Sequence, residues 1–148
     1  MSFRIPELRG VEVVADPALR PILVLTSNSE KNLPDAFLRR CIFHHIPFPD
    51  RDRLVRIVQS RLESLRGRSG ALLDSGLDFF FEVRKLNLAK PPSTAELLNW
   101  LQALVQNGAT PERDIKEFRD RLPGSFSTLA KTPPDVQDVE DLAGRHFG

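Results

Sequence analysis

Residues 21–50 constrain the fold more than any other part of this 148-residue chain. A continuous apolar run at residues 22–25 is typical of a strand that is buried on both faces, as in a parallel sheet. The run ends in small polar residues up to Asn28, and a short helix is predicted at residues 34–40. Residues 41–48 are rich in β-branched and aromatic side chains, which predicts a second strand. We therefore expect an α/β arrangement in this part of the chain.

The two flanking regions differ in character. Residues 2–5 and 11–15 are short β-like runs separated by proline and glycine, which predicts a hairpin or an irregular ribbon. From Asp50 onward the apolar residues recur at helical spacing, and Ser93 with Glu96 forms a capping-box pattern. The spacing predicts helices at residues 50–65, 72–86, 94–106, 112–121 and 135–143. We accordingly expect two domains, 1–49 and 50–148.

Composition excludes several classes of protein. The net charge of +1 provides no bulk attraction to nucleic acid, so no nucleic-acid partner is expected. The single cysteine, Cys41, cannot form an internal disulfide and fits a reducing cytosol. No apolar run approaches the roughly 20 residues of a membrane span, and no signal peptide is recognisable, so we expect a cytoplasmic protein. His44 and His45 are consecutive on a predicted strand and would face opposite sides, so no metal site is predicted.

The order strand, TSN, loop, LPDAFLRRC, strand and proline, followed by helices, resembles the AAA+ ATPases, particularly their MoxR-like branch. The resemblance covers about residues 20–100, and the SFRIPE ribbon resembles the hairpin that precedes sensor 1 in this branch. It implies the last strands of a AAA+ (P-loop type) parallel core sheet, followed by an α-helical lid domain. Residues 1–49 would then belong to the core and residues 50–148 to the lid.

The resemblance assigns the sensor 1 role to Asn28. An amide at the carboxyl end of a parallel strand can hold a water or a γ-phosphate oxygen without adding charge. The alternative is that Asn28 only ends the strand and caps a turn.

The resemblance also implies an arginine finger, a cation that reaches a neighbouring subunit's ATP. Its position favours Arg40, with Arg39 as the alternative. Successive residues on a helix point about 100° apart, so only one of the two should face the neighbour. The alternative is a pair of solvated arginines that interact favourably with the dipole at a helix C-terminus.

A third family feature, the sensor 2 arginine near the start of the third lid helix, is missing from the sequence KPPSTAELLNW. Lys90 is the nearest cation. It is either a substitute for that arginine or a surface lysine.

The sequence also lacks the phosphate-binding motif GxxxxGK[ST] and an acidic strand end for Mg²⁺. ATP and Mg²⁺ are therefore expected in a complete protein, and neither is expected to bind this chain alone. Three explanations remain open: a fragment of a longer AAA+ subunit, a truncated regulatory partner that lends its finger to an intact ATPase, or an unrelated helical module. The first implies a ring, formed with copies of itself or with intact AAA+ subunits, that remodels a protein client of unknown identity.

Overall fold

The computed structural model describes residues 2–5, 11–14, 16–19, 22–27, 33–66 and 70–148. The chain divides into two units, Met1–Ile46 and Pro47–Gly148. The sequence predicted a division between residues 49 and 50. The residues after Ile46 belong with the helices because the ring of Phe48 stacks on that of Phe80, with centroids 6.3 Å apart.

The first unit contains an antiparallel ribbon of the kind that the sequence predicted. Strand β1 (Ser2–Ile5) pairs with strand β2 (Val11–Val14) along their whole length. A 3-10 turn at Pro17–Leu19 follows. Helix α1 (Asp35–Leu38) is a single turn and buries none of its residues.

The predicted parallel core sheet is wrong. Within the described part of the chain, β-structure is confined to the β1–β2 ribbon, and residues 22–27 and 42–50 belong to no strand. The apolar side chains of residues 22–25 are 63–94% exposed. A strand forms where its N–H and C=O groups pair with a neighbour, and one that is apolar on both faces also needs cover on both. Among the described residues neither segment pairs with another strand, and the apolar side chains of residues 22–25 and of Ile42, Phe43 and Ile46 are left exposed.

The second unit is helical. Its α-helices are α2 (Arg51–Arg61), α3 (Ala71–Lys85), α4 (Thr94–Gln106) and α5 (Pro133–Phe147). Shorter 3-10 segments lie at Glu63–Leu65, Ile115–Arg121 and Pro123–Thr128. The predicted helices near α2, α3, α4 and α5 are confirmed. The one predicted at residues 112–121 is a 3-10 segment instead.

Local capping signals mark the start of α2 and both ends of α4. The side chain of Asp50 accepts a hydrogen bond from the Arg53 N–H over 2.8 Å at the start of α2. At α4, both halves of the predicted capping box are present between Ser93 and Glu96. Gly108, just beyond the end of α4, has a φ of 93°, a conformation that glycine adopts without steric cost.

The core of the second unit is centred on Phe79, which is fully buried. Its ring centroid lies 5.0–5.8 Å from those of Trp100, Phe126 and Phe147, at the tilted angles that aromatic pairs favour. The indole N–H of Trp100 donates to Ser125 Oγ over 2.8 Å, so the buried polar atom is satisfied. Helices α3, α4 and α5 thus share one aromatic core with the 3-10 segment Pro123–Thr128.

Candidate functional site

Asn28 lies outside the described residues. Its sensor 1 role stays a prediction. Of the other predicted site residues, Arg39 and Arg40 belong to the first unit and Lys90 to the second.

The two arginines lie directly after helix α1. Proline at position 34 starts the helix without a side-chain cap, and Asp35 lies in its first turn, where a carboxylate suits the helix dipole. The N–H of Arg39 donates to Asp35 O over 3.1 Å and that of Arg40 to Phe37 O over 3.0 Å. Both arginines are therefore held at the C-terminal end of the turn by backbone bonds, and both are exposed.

The two side chains differ in their contacts. The Nη1 atom of Arg40 donates to Ala36 O over 2.6 Å, so its guanidinium folds back over the helix. The side chain of Arg39 makes no hydrogen bond or ion pair with any residue that the structure describes. Because a guanidinium has five N–H donors, Arg40 keeps donors for an anion while Ala36 O fixes its position.

Apolar side chains surround the arginine pair in the sequence and are not covered. Ile42, Phe43 and Ile46, which follow it, are 101%, 70% and 70% exposed. Phe37, which precedes it, is also exposed. A group of exposed apolar residues beside cationic side chains is typical of a contact surface.

Lys90 lies in the loop between α3 and α4 and is exposed. The nearest helix N-terminus, that of α4, holds the carboxylate of Glu96, whose Oε2 accepts a hydrogen bond from the Ser93 N–H over 2.7 Å. Partial burial would raise the pKa of Glu96. Hydrogen bonds from Ser93 and the charges of Lys131 and Lys90 outweigh that effect and hold the pKa below its ordinary value.

This arrangement affects what Lys90 can do. A phosphate approaching the α4 N-terminus would meet the ionised Glu96, which already accepts one of the N–H groups there. The charge of Lys90 favours the ionised form of Glu96, and the arrangement provides no support for phosphate binding at this position.

Sequence reasoning missed a further cation, Arg84 on α3. Its guanidinium carbon lies 3.5 Å from the centre of the Phe48 ring, and its Nη1 donates to Pro92 O. Burial lowers the pKa of Arg84. Phe48 lies 36 positions before Arg84 and Pro92 lies 8 positions after it, so the three- and four-residue spacing of a helix did not point to this contact.

The second unit also has an open groove of about 470 Å³ between the 3-10 segments and α5. Its lining is mainly apolar, including Leu122, Phe126 and Phe147, and Glu140 lies on it. Across the described ranges, no three His, Cys, Asp or Glu side chains come together as metal ligands. Nor does any helix in them have the length and apolarity needed to cross a membrane.

The chain matches no protein-family model, no curated protein and no solved structure. The resemblance to AAA+ ATPases therefore depends on the sequence motifs alone.

Proposed function

We propose that this chain is part of a AAA+ ATPase subunit of the MoxR-like branch, in which Arg40 acts on ATP held by a neighbouring subunit. The observation that carries the proposal is the exposed arginine pair at the end of α1, bordered by uncovered apolar side chains such as Ile42. An arginine finger has to lie on a surface that meets another subunit. The helical unit Pro47–Gly148 follows it in the chain, where the family has its lid.

The proposed chemical role of Arg40 is to stabilise negative charge. A guanidinium is permanently charged, and its planar donors match phosphoryl oxygens, so it can neutralise charge that develops as the γ-phosphoryl group is transferred. The hydrogen bond from Arg40 to Ala36 O supports the preference for this residue over Arg39, because a finger has to be held in position to act. Asn28 would hold the attacking water or a γ-phosphate oxygen in the same subunit.

ATP and Mg²⁺ would be bound by residues other than those of this chain. The sequence has no GxxxxGK[ST] loop to hold the phosphates. We therefore expect the purified chain to show no Mg²⁺-dependent ATP hydrolysis. Measurable hydrolysis by the chain alone would contradict this part of the proposal.

A chimera tests the finger directly. The amino-terminal part of a MoxR-like AAA+ subunit, carrying its phosphate-binding loop and acidic strand end, is fused to residues 1–148 in place of its own sensor 1 region, arginine finger and lid. We expect the chimera to hydrolyse ATP, and Arg40→Ala to lower kcat by ~10³-fold or more, as for fingers supplied in trans. Arg40→Lys should recover only part of the loss, since an ammonium lacks the planar donors.

Two controls make the result specific. Arg39→Ala tests the alternative finger, and Arg56→Ala removes one exposed positive charge from the helical unit. The parent subunit, with its own carboxyl-terminal half, shows that the assay works. The proposal fails if the chimera assembles without hydrolysing ATP, or if Arg40→Ala behaves like Arg56→Ala.

The well-packed second unit favours one other function, a separate regulatory partner. A domain with its own buried aromatic core is able to fold without a complete ATPase around it. In that case the purified chain, added to a MoxR-like ring whose own finger is replaced by alanine, should restore hydrolysis in trans. No rescue at saturating concentration would exclude this second function and leave the first unaffected.

A further inference from the structure

Arg84 contacts two segments that are remote from each other in the sequence. Toward the amino terminus it lies over Phe48, two residues before the N-cap of α2. Phe48 also stacks on Phe80, which precedes Arg84 by one helical turn on α3. The lead-in segment, residues 47–50, is thereby attached to one face of α3.

The second contact of Arg84 is with the loop before α4, residues 86–93. Its Nη1 donates to the carbonyl of Pro92, a buried residue. The same loop is held from the other direction by Asp135, only 7% exposed, whose Oδ1 accepts a hydrogen bond from the Ala89 N–H over 3.2 Å. The loop that carries Lys90 is thus fixed at two points, and Arg84 supplies one of them.

We propose that Arg84 is a positioning residue that couples the order of the lead-in segment to the order of the loop before α4. One rigid guanidinium makes both contacts, so movement of Phe48 away from α3 removes packing that holds the guanidinium on Pro92 O. Conversely, loss of the hydrogen bond to Pro92 O removes a contact that holds the guanidinium over the Phe48 ring. Such coupling is reciprocal by thermodynamic linkage. It does not depend on the proposed ATPase function, and it would transmit any change at the loop to the segment where the second unit of the chain begins.

Backbone amide exchange on the full chain tests the coupling. Phe48→Ala removes the ring without touching Pro92, so increased exchange at the amides of Leu88, Ala89 and Lys90 would report transmission through Arg84. We expect about a tenfold rise there, equivalent to about 1.4 kcal/mol of lost local stability. Arg84→Ala should raise exchange in the loop and in the lead-in segment together, and Phe48→Ala should add nothing to the loop effect in that background.

Matched variants separate coupling from general destabilisation. Lys85→Ala removes the neighbouring cation, which is exposed and pairs with Glu82 over 2.6 Å, and should leave both segments unchanged. Arg84→Lys keeps the charge but not the planar group, and it replaces Arg84→Ala in the exchange experiment if the alanine variant does not fold. With it, exchange should rise in both segments, by less than with alanine. The coupling is refuted if Phe48→Ala leaves loop exchange at the wild-type rate, or if Arg84→Lys loosens one segment only.

Discussion

The two units contain similar apolar runs with opposite exposure. In Met1–Ile46, the four consecutive apolar side chains at residues 22–25 are 63–94% exposed. In Pro47–Gly148, Phe79 and Phe80 are both 0% exposed within a run of three phenylalanines. The difference in exposure between these two segments therefore does not arise from a difference in their hydrophobicity. The second unit provides other apolar faces for its run to pack against, whereas the described residues of the first unit do not.

Helices α1 and α4 show the same contrast. Helix α4 has thirteen residues, a capping box and four buried side chains. Helix α1 has four residues, no side-chain cap and no buried side chain. Short helices gain little from backbone hydrogen bonds alone, since nucleation is costly and tertiary packing provides most of the stability. The length of each helix thus reflects how much apolar surface it buries.

The largest expected effect tests the contrast between the two apolar runs. Phe79→Ala should lower the free energy of unfolding of the second unit by about 3–5 kcal/mol, because it leaves a cavity among three aromatic rings. Ile22→Ala, in the exposed run, should change it by less than about 0.5 kcal/mol. Urea unfolding followed by the fluorescence of Trp100, the single and fully buried tryptophan, reports this unit within the full chain.

Equal denaturation midpoints for wild type and Phe79→Ala would contradict the packing of the aromatic core. A large loss of stability on Ile22→Ala would instead mean that the exposed run is buried in solution and supports the helical unit. Either result would remove the contrast between the two regions.

Signals that are local in the sequence predicted structure well. The capping box at α4 and the helical spacing in α2 and α3 involve residues three or four positions apart, so they do not depend on the rest of the chain. The error at Ile115–Arg121 is also local in origin. Ile115 and Phe118 are its buried apolar residues, and the i, i+3 step between them suits the three-residue turn of a 3-10 helix.

Features that require distant partners were predicted poorly. The parallel sheet was inferred from the composition of residues 22–25 and 41–48, but a strand also needs a pairing neighbour, which composition does not reveal. For the site, the sequence located Arg39 and Arg40 after a short helix, because that helix has a local start signal. Arg84 was missed because its partners lie 36 positions before and 8 positions after it.

Two glycines of the second unit test whether backbone conformation and helix propensity determine the effect of a substitution there. Gly108 has a φ of 93°, so Gly108→Ala should lower the free energy of unfolding by about 1–2 kcal/mol. Gly144 lies within α5, and a Cβ added there meets nothing within 4 Å. Gly144→Ala should therefore raise the free energy of unfolding by about 0.5–1 kcal/mol, through helix propensity. Urea midpoints that shift in the same direction for both variants would contradict this account.

The smallest expected effect concerns the capped start of α4, the feature that α1 lacks. Glu96→Gln keeps a side chain that can accept from the Ser93 N–H but removes the charge near Lys131 and Lys90. Glu96 is largely solvated, so the loss near neutral pH should lie at the low end of the ~0.3–1 kcal/mol range for a charge at a helix N-terminus.

The pH dependence of that loss gives the sharper test. Because the folded-state pKa of Glu96 is lowered, its charge stabilises the fold above its unfolded-state pKa, and this contribution disappears as pH falls through the folded-state value. The difference in unfolding free energy between wild type and Glu96→Gln should therefore be constant near neutrality and shrink below about pH 4.3, the ordinary pKa of glutamate. Glu63→Gln, which changes a carboxylate that is 87% exposed, is the matched control and should show little difference at any pH. A difference for Glu96→Gln that grows as pH falls would mean that the folded state disfavours the ionised carboxylate, and would contradict the lowered pKa of Glu96.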